Sequence, residues 1–91
     1  MTDYSAECRD IRNAPVGSNG EPSNTTRADR AALLARFYET ELLGDSAGED
    51  TTSNFAGIMA DMRHWCHAHG QDFDTLAEWS TNLFDEEKDH G

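Results

Sequence analysis

The chain has 91 residues, 36% of them hydrophobic, and its 18 acidic and seven basic residues give a formal net charge of −11 at pH 7. A chain of this length has room for one domain with a small core. The negative charge repels nucleic acid and anionic membranes, so we expect neither as a direct partner and favour a basic protein surface instead.

The N-terminal segment, residues 1–25, holds both prolines and shows no apolar period of 3.6 or 2. This composition predicts a disordered tail. No signal-peptide pattern and no long apolar run is apparent, and two cysteines are too few for a disulfide framework. We therefore expect a cytoplasmic protein.

The folded unit is predicted to span residues 26–88, with residues 89–91 as a C-terminal end. Its first helix is expected to start at Thr25 or Thr26, where a hydroxyl can cap the first turn, and to end at Gly44. The apolar stripe of this helix consists of Ala31, Leu34, Tyr38 and Leu42. A polar, acidic loop follows over residues 44–52.

Two further helices are predicted, with Ser53 capping the second and Asp72 or Asp74 capping the third. Gly70 lies where a left-handed C-terminal cap belongs. The expected core positions of the second helix are Phe55, Ile58, Met59, Met62, Trp65, Cys66 and His69, and those of the third are Phe73, Leu76, Ala77, Trp79, Ser80, Leu83 and Phe84. The predicted fold is all-α: an antiparallel hairpin of helices two and three, with helix one packed across it.

The acidic residues concentrate at the C-terminal end of the chain and in the loop. At 100° per residue, Asp74, Glu78, Asp85 and Asp89 fall within about 60° of each other on the third helix, opposite its apolar arc. Like charges four residues apart and carboxylates at a helix C-terminus both oppose helix stability. The arrangement therefore favours a role in binding.

The functional hypothesis is that these carboxylates imitate DNA phosphates and occupy a basic nucleic-acid-binding surface. Residues four apart rise about 6 Å along a helix, which is comparable to the spacing of backbone phosphates. The predicted partner-binding residues are Asp74, Glu78, Asp85, Glu86 and Asp89 of the third helix and Asp45, Glu49 and Asp50 of the loop. We expect a monomer.

Two other interpretations stay open. The carboxylates can form a solvated face that only keeps the chain in solution. Alternatively, the chain is a structural or adaptor domain that pairs with itself or with another helical protein through an apolar surface. A salt-tolerant complex would favour the adaptor, and a strongly salt-dependent complex would favour imitation of DNA.

Catalytic and metal chemistry find little support. His64 and His67 point away from the apolar stripe while Cys66 and His69 point into it, so one tetrahedral zinc site cannot readily use all of them. Asp61, His64 and His67 follow each other at intervals of three residues, which would allow a weak surface metal site. We rank this interpretation below the protein-binding ones. We predict no cofactor, no metal and no enzymatic activity.

Part of the second and third helices resembles known sequences. The run 59–66 (MADMRHWC), continuing through Gly70 and 72–74 (DFD) to Phe84, is similar to short proteins encoded by phages, plasmids and integrated elements. In size, acidity and helical content the chain also resembles anti-CRISPR proteins that act as DNA mimics. That resemblance implies an inhibitor whose target is the DNA-reading or PAM-reading surface of a CRISPR interference complex.

Overall fold

The computed structural model describes residues 3–44 and 50–89. These residues contain the helices α1 (Ser5–Arg12), α2 (Asn24–Phe37), α3 (Thr51–Ala68) and α4 (Phe73–Glu87), and a π-helical segment (Tyr38–Leu43) that continues α2. The predicted all-α class is confirmed. Helices α2, α3 and α4 correspond to the three predicted helices.

Within the N-terminal segment, for which the sequence predicts a disordered tail, residues 5–12 form α1 and contact α2. The Tyr4 ring lies edge-on to the Phe37 ring, with 5.8 Å between the ring centroids, and its hydroxyl donates to the Arg36 carbonyl at 3.3 Å. Glu7 forms an ion pair with Arg36. Tyr4, Cys8 and Ile11 follow the spacing of an amphipathic helix. This pattern covers only about two turns, and the prolines and glycines that follow it are typical of a loop.

Helix α2 begins slightly earlier than predicted, because Ser23 is its N-cap and accepts from the Thr26 N–H at 3.1 Å. Its expected apolar stripe is only partly correct. Tyr38 is buried, but Leu34 and Leu42 are exposed, and Ala35 lies inside instead. The π-helical winding after Phe37 holds more residues per turn, so an extrapolation at 100° per residue misplaces Leu42.

A polar contact joins the π-helical segment to α3. The hydroxyl of buried Tyr38 donates to the Asp61 carboxylate at 2.6 Å, and this hydrogen bond, with burial and the negative charge of Asp61, raises the Tyr38 pKa above its usual value. Gly57 lets the ring approach, since a Cβ there would lie 3.0 Å from the Tyr38 oxygen. Nearby, the buried Asn54 amide donates to Glu39 at 3.3 Å.

Helices α3 and α4 form the predicted hairpin. Asp50, not Ser53, is the N-cap of α3, since its carboxylate accepts from the Ser53 N–H at 2.7 Å. Gly70 takes the predicted left-handed conformation, with φ of 67°, and Asp72 caps α4 by accepting from the Asp74 N–H at 3.1 Å. These last two predictions are confirmed.

The far end of α4 is tied to the start of α2 by polar groups. The Arg27 Nε lies 3.1 Å from a Glu87 carboxylate oxygen, and the Asn24 side-chain amide donates to the Lys88 carbonyl at 3.0 Å. Helix α4 is thus held at both ends, by the hairpin turn and by α2.

The core is smaller than predicted. Among the described residues, the buried apolar side chains are Ala35, Tyr38, Cys66 and Phe73. The core positions predicted at Cys66 and Phe73 are confirmed. Those at Met59, Met62, Trp65, Leu76, Trp79, Leu83 and Phe84 are wrong, because these side chains are exposed. Too few other elements pack on α3 and α4 to cover their apolar faces.

Two phenylalanines of α4 provide a matched test of this core. Phe73 is buried and carries the Arg63 guanidinium 4.1 Å from its ring centroid, whereas Phe84 is exposed. Phe73→Ala should lower the free energy of unfolding by about 3 kcal/mol, and Phe84→Ala by less than about 1 kcal/mol. Urea denaturation followed by circular dichroism in dilute solution measures both. Equal losses would contradict this assignment of the core.

Candidate protein-binding surface

The largest side chains of the α3–α4 hairpin are uncovered on one side. We name this surface the open face and define it as Trp65 of α3 with Leu76, Trp79 and Leu83 of α4. Their exposed fractions are 57%, 36%, 63% and 48% respectively. At 100° per residue, the three α4 residues fall within about 60° of each other, so they form one stripe along the helix.

The two tryptophans of the open face flank a cleft of about 280 Å³ near the hairpin turn, lined by Trp65, Cys66, Gln71, Asp72, Thr75, Leu76 and Trp79. The Trp65 indole stacks on the His69 imidazole, with 4.4 Å between centroids and 19° between planes. The His69 Nδ1 lies 2.8 Å from the Trp65 carbonyl oxygen, so this histidine, predicted as a core position, is exposed and caps a carbonyl at the end of α3. Trp65 is therefore oriented although more than half of its surface is exposed.

The chain exposes more surface than a compact monomer of its mass. Its accessible area is 6934 Å² and its mass is 10.1 kDa, whereas a folded monomer of that mass exposes about 5,300 Å². Its radius of gyration is 15.0 Å, against about 12 Å for a compact chain of this length. The excess area of about 1,600 Å² is about twice the 800 Å² that each partner contributes to a standard protein–protein interface.

Asp74, Glu78 and Asp85 lie on the side of α4 opposite the open face, and we name them the acidic face. Glu86 lies beside the open face, next to Leu83, and Asp89 lies in the turn after the end of α4. Asp74, Glu78, Asp85, Glu86 and Asp89 are all exposed. Asp74 lies 4.0 Å from Arg63 and Asp85 lies 3.4 Å from Lys88, and both pairs are exposed to solvent. Within the described part of the chain, Glu78, Glu86 and Asp89 make no ion pair. Solvent screens these exposed ion pairs, so they hold their cations weakly. The acidic face therefore keeps a strong negative potential.

The structure describes one of the three predicted acidic residues of the loop. Asp45 and Glu49 lie outside the described residues. Asp50 is the N-cap of α3, so its carboxylate is used to satisfy a backbone N–H. The structure therefore gives Asp50 a role in folding.

The histidine-rich end of α3 does not assemble a metal site. Within the described residues, 3–44 and 50–89, no three His, Cys, Asp or Glu side chains lie close enough together to hold a metal ion. Asp61 accepts from Tyr38, and Cys66 is buried as predicted. His64 and His67 are exposed.

An apolar groove between α1 and α2 was missed by the sequence analysis, because α1 itself was missed. Its volume is about 460 Å³, and it is lined by Tyr4, Cys8, Ile11, Arg12, Arg30, Leu33, Leu34 and Phe37. The spacing of Tyr4, Cys8 and Ile11 was the available signal. The groove holds two aromatic side chains, Tyr4 and Phe37, whereas the open face holds both tryptophans of the chain.

The described helices include none that is both long and apolar enough to cross a membrane. No protein-family model, no curated protein and no solved structure matches the chain. The functional evidence is therefore the surface itself: an open apolar face on one side of the α3–α4 hairpin and an acidic face on the other.

Proposed function

We propose that the chain is a small protein-binding module that pairs with another polypeptide through the open face. The observation that carries the proposal is the exposure of Trp65, Trp79 and Leu83 in a chain that buries few large side chains. A monomer with this much uncovered apolar area is expected to be a binding partner of another protein. Tryptophan is also among the side chains that contribute most to the binding free energy of interfaces.

The pattern of the open face fits a helical partner. Leu76, Trp79 and Leu83 follow the spacing i, i+3, i+7, which is how an amphipathic helix presents its anchoring side chains to an apolar surface. The cleft between Trp65 and Trp79 can receive one further side chain. Because apolar contact drives such pairing, the complex should persist at high salt.

A site-specific photo-cross-link tests this function. With p-benzoylphenylalanine in place of Leu83, irradiation of cells that express the chain should join it to a second polypeptide. The same substitution at Thr81, which lies on the acidic side of α4, is the matched control and should give no adduct. An adduct from both positions, or from neither, would contradict the open face as the binding surface.

The acidic face supports a second candidate function, namely inhibition by imitation of DNA. Glu78 and Asp85 project from α4 into solvent, with Asp89 in the turn after it, and steps of four residues advance about 6 Å along the helix. The partner would be a basic nucleic-acid-binding protein. The DNA-reading subunit of a CRISPR interference complex is the case that the resemblance to anti-CRISPR proteins suggests.

Charge reversal tests the second candidate. The chain should release a basic host protein from DNA-cellulose at low salt, and Glu78→Lys with Asp85→Lys should abolish this release through loss of long-range attraction. Asp10→Lys with Asp29→Lys makes the same change in net charge away from α4 and should leave release intact. If both double variants lose the effect equally, only total charge matters; if neither loses it, the imitation of DNA is excluded.

A further inference from the structure

We propose that the partner of the open face is a second copy of this chain, so that two α3–α4 hairpins form a four-helix bundle. The inference rests on the proposed function and names the partner. It replaces the expectation of a monomer, because the apolar stripe of α4 is exposed in the single chain.

The uncovered area is large enough for a stable dimer. The whole chain exposes about 1,600 Å² more than a compact monomer of its mass, and the open face contributes to this excess through two tryptophans and two leucines. A dimer of standard size needs about 800 Å² from each partner, which is half of that excess. Small helical hairpins commonly complete their cores in this way, since neither hairpin alone encloses an apolar interior.

The sequence of α4 is complementary to itself in an antiparallel pair. Ser80 is the central residue of α4, which spans Phe73–Glu87. With a twofold axis between positions 79 and 80, Leu76 of one copy faces Leu83 of the second copy, and each large Trp79 faces a small Ser80. A twofold interface requires this self-complementarity, and the alternation of large and small side chains allows close packing.

The charge distribution is compatible with this contact. Asp74, Glu78 and Asp85 lie on the opposite side of α4, so pairing leaves them in solvent, and Glu86 lies at the margin of the open face. Antiparallel helices also place opposite ends of their dipoles side by side. Since each copy carries a net charge of −11, the remaining repulsion is long-range and salt screens it. The dimer should therefore tighten as salt is added.

Sedimentation equilibrium on the full chain tests the assembly. At micromolar concentration the wild-type chain should have an apparent molecular mass of twice its 10.1 kDa monomer mass. Leu76→Glu with Leu83→Glu should raise the dissociation constant by about 100-fold or more. Thr81→Glu with Asn82→Glu adds the same two charges on the far side of α4 and should leave a dimer. Circular dichroism checks that both variants keep the wild-type helix content.

Disulfide trapping tests the register. In a Cys8→Ser background, Ser80→Cys should oxidise to a covalent dimer and Thr81→Cys should not, because position 80 lies next to the proposed axis and position 81 lies on the acidic side of α4. Equal trapping at both positions, or a wild-type dimer unaffected by the leucine changes, would overturn the pairing of open faces.

The outcomes also separate this inference from the proposed function. A wild-type chain that stays monomeric at high micromolar concentration, but cross-links through position 83 to a different protein, would contradict pairing with a second copy. The same result would support the proposed function as a protein-binding module. A monomer that gives no adduct at position 83 would overturn both.

Discussion

The structure depends on one imbalance: α3 and α4 carry more apolar surface than the rest of this short chain can cover. Helix α2 and the π-helical segment that continues it both pack on α3, where Tyr38 donates to Asp61. Helix α4 is anchored at Phe73 and, by polar groups, at Glu87 and Lys88. Between those anchors the described residues leave Leu76, Trp79 and Leu83 of α4 exposed. A 91-residue chain encloses only a small interior, so the remaining apolar surface is available to a partner.

The segregation of charge on α4 follows from the same arrangement. In the proposed pairing, the apolar stripe of α4 favours few carboxylates on its own side, and Asp74, Glu78 and Asp85 lie on the opposite side. The acidic face can therefore act as the solvated outer surface of an assembly. Imitation of DNA requires in addition that this face contact a basic protein. The two functions use different sides of one helix, so they are compatible in a single molecule.

Sequence periodicity predicted the helices and their caps better than it predicted the core. The positions of Gly70, Asp72, Cys66 and Phe73 were correct, because capping and helical phase are local properties. Trp65 and Trp79 were misjudged because periodicity shows which residues share a face of a helix and not whether anything lies against it. Helix α1 was missed because it is short and followed by residues typical of loops, and the π-helical winding after Phe37 has no simple sequence signature.

The central claim is that the open face is uncovered in the single chain and covered by pairing. Acrylamide quenching of tryptophan fluorescence measures this directly, since both tryptophans of the chain, Trp65 and Trp79, belong to the open face. In nanomolar solution, where a dimer dissociates, both indoles should be quenched nearly as efficiently as free tryptophan, and quenching should fall as the chain concentration rises. Tryptophans already protected at nanomolar concentration would mean that the chain covers this surface itself, which would contradict the account.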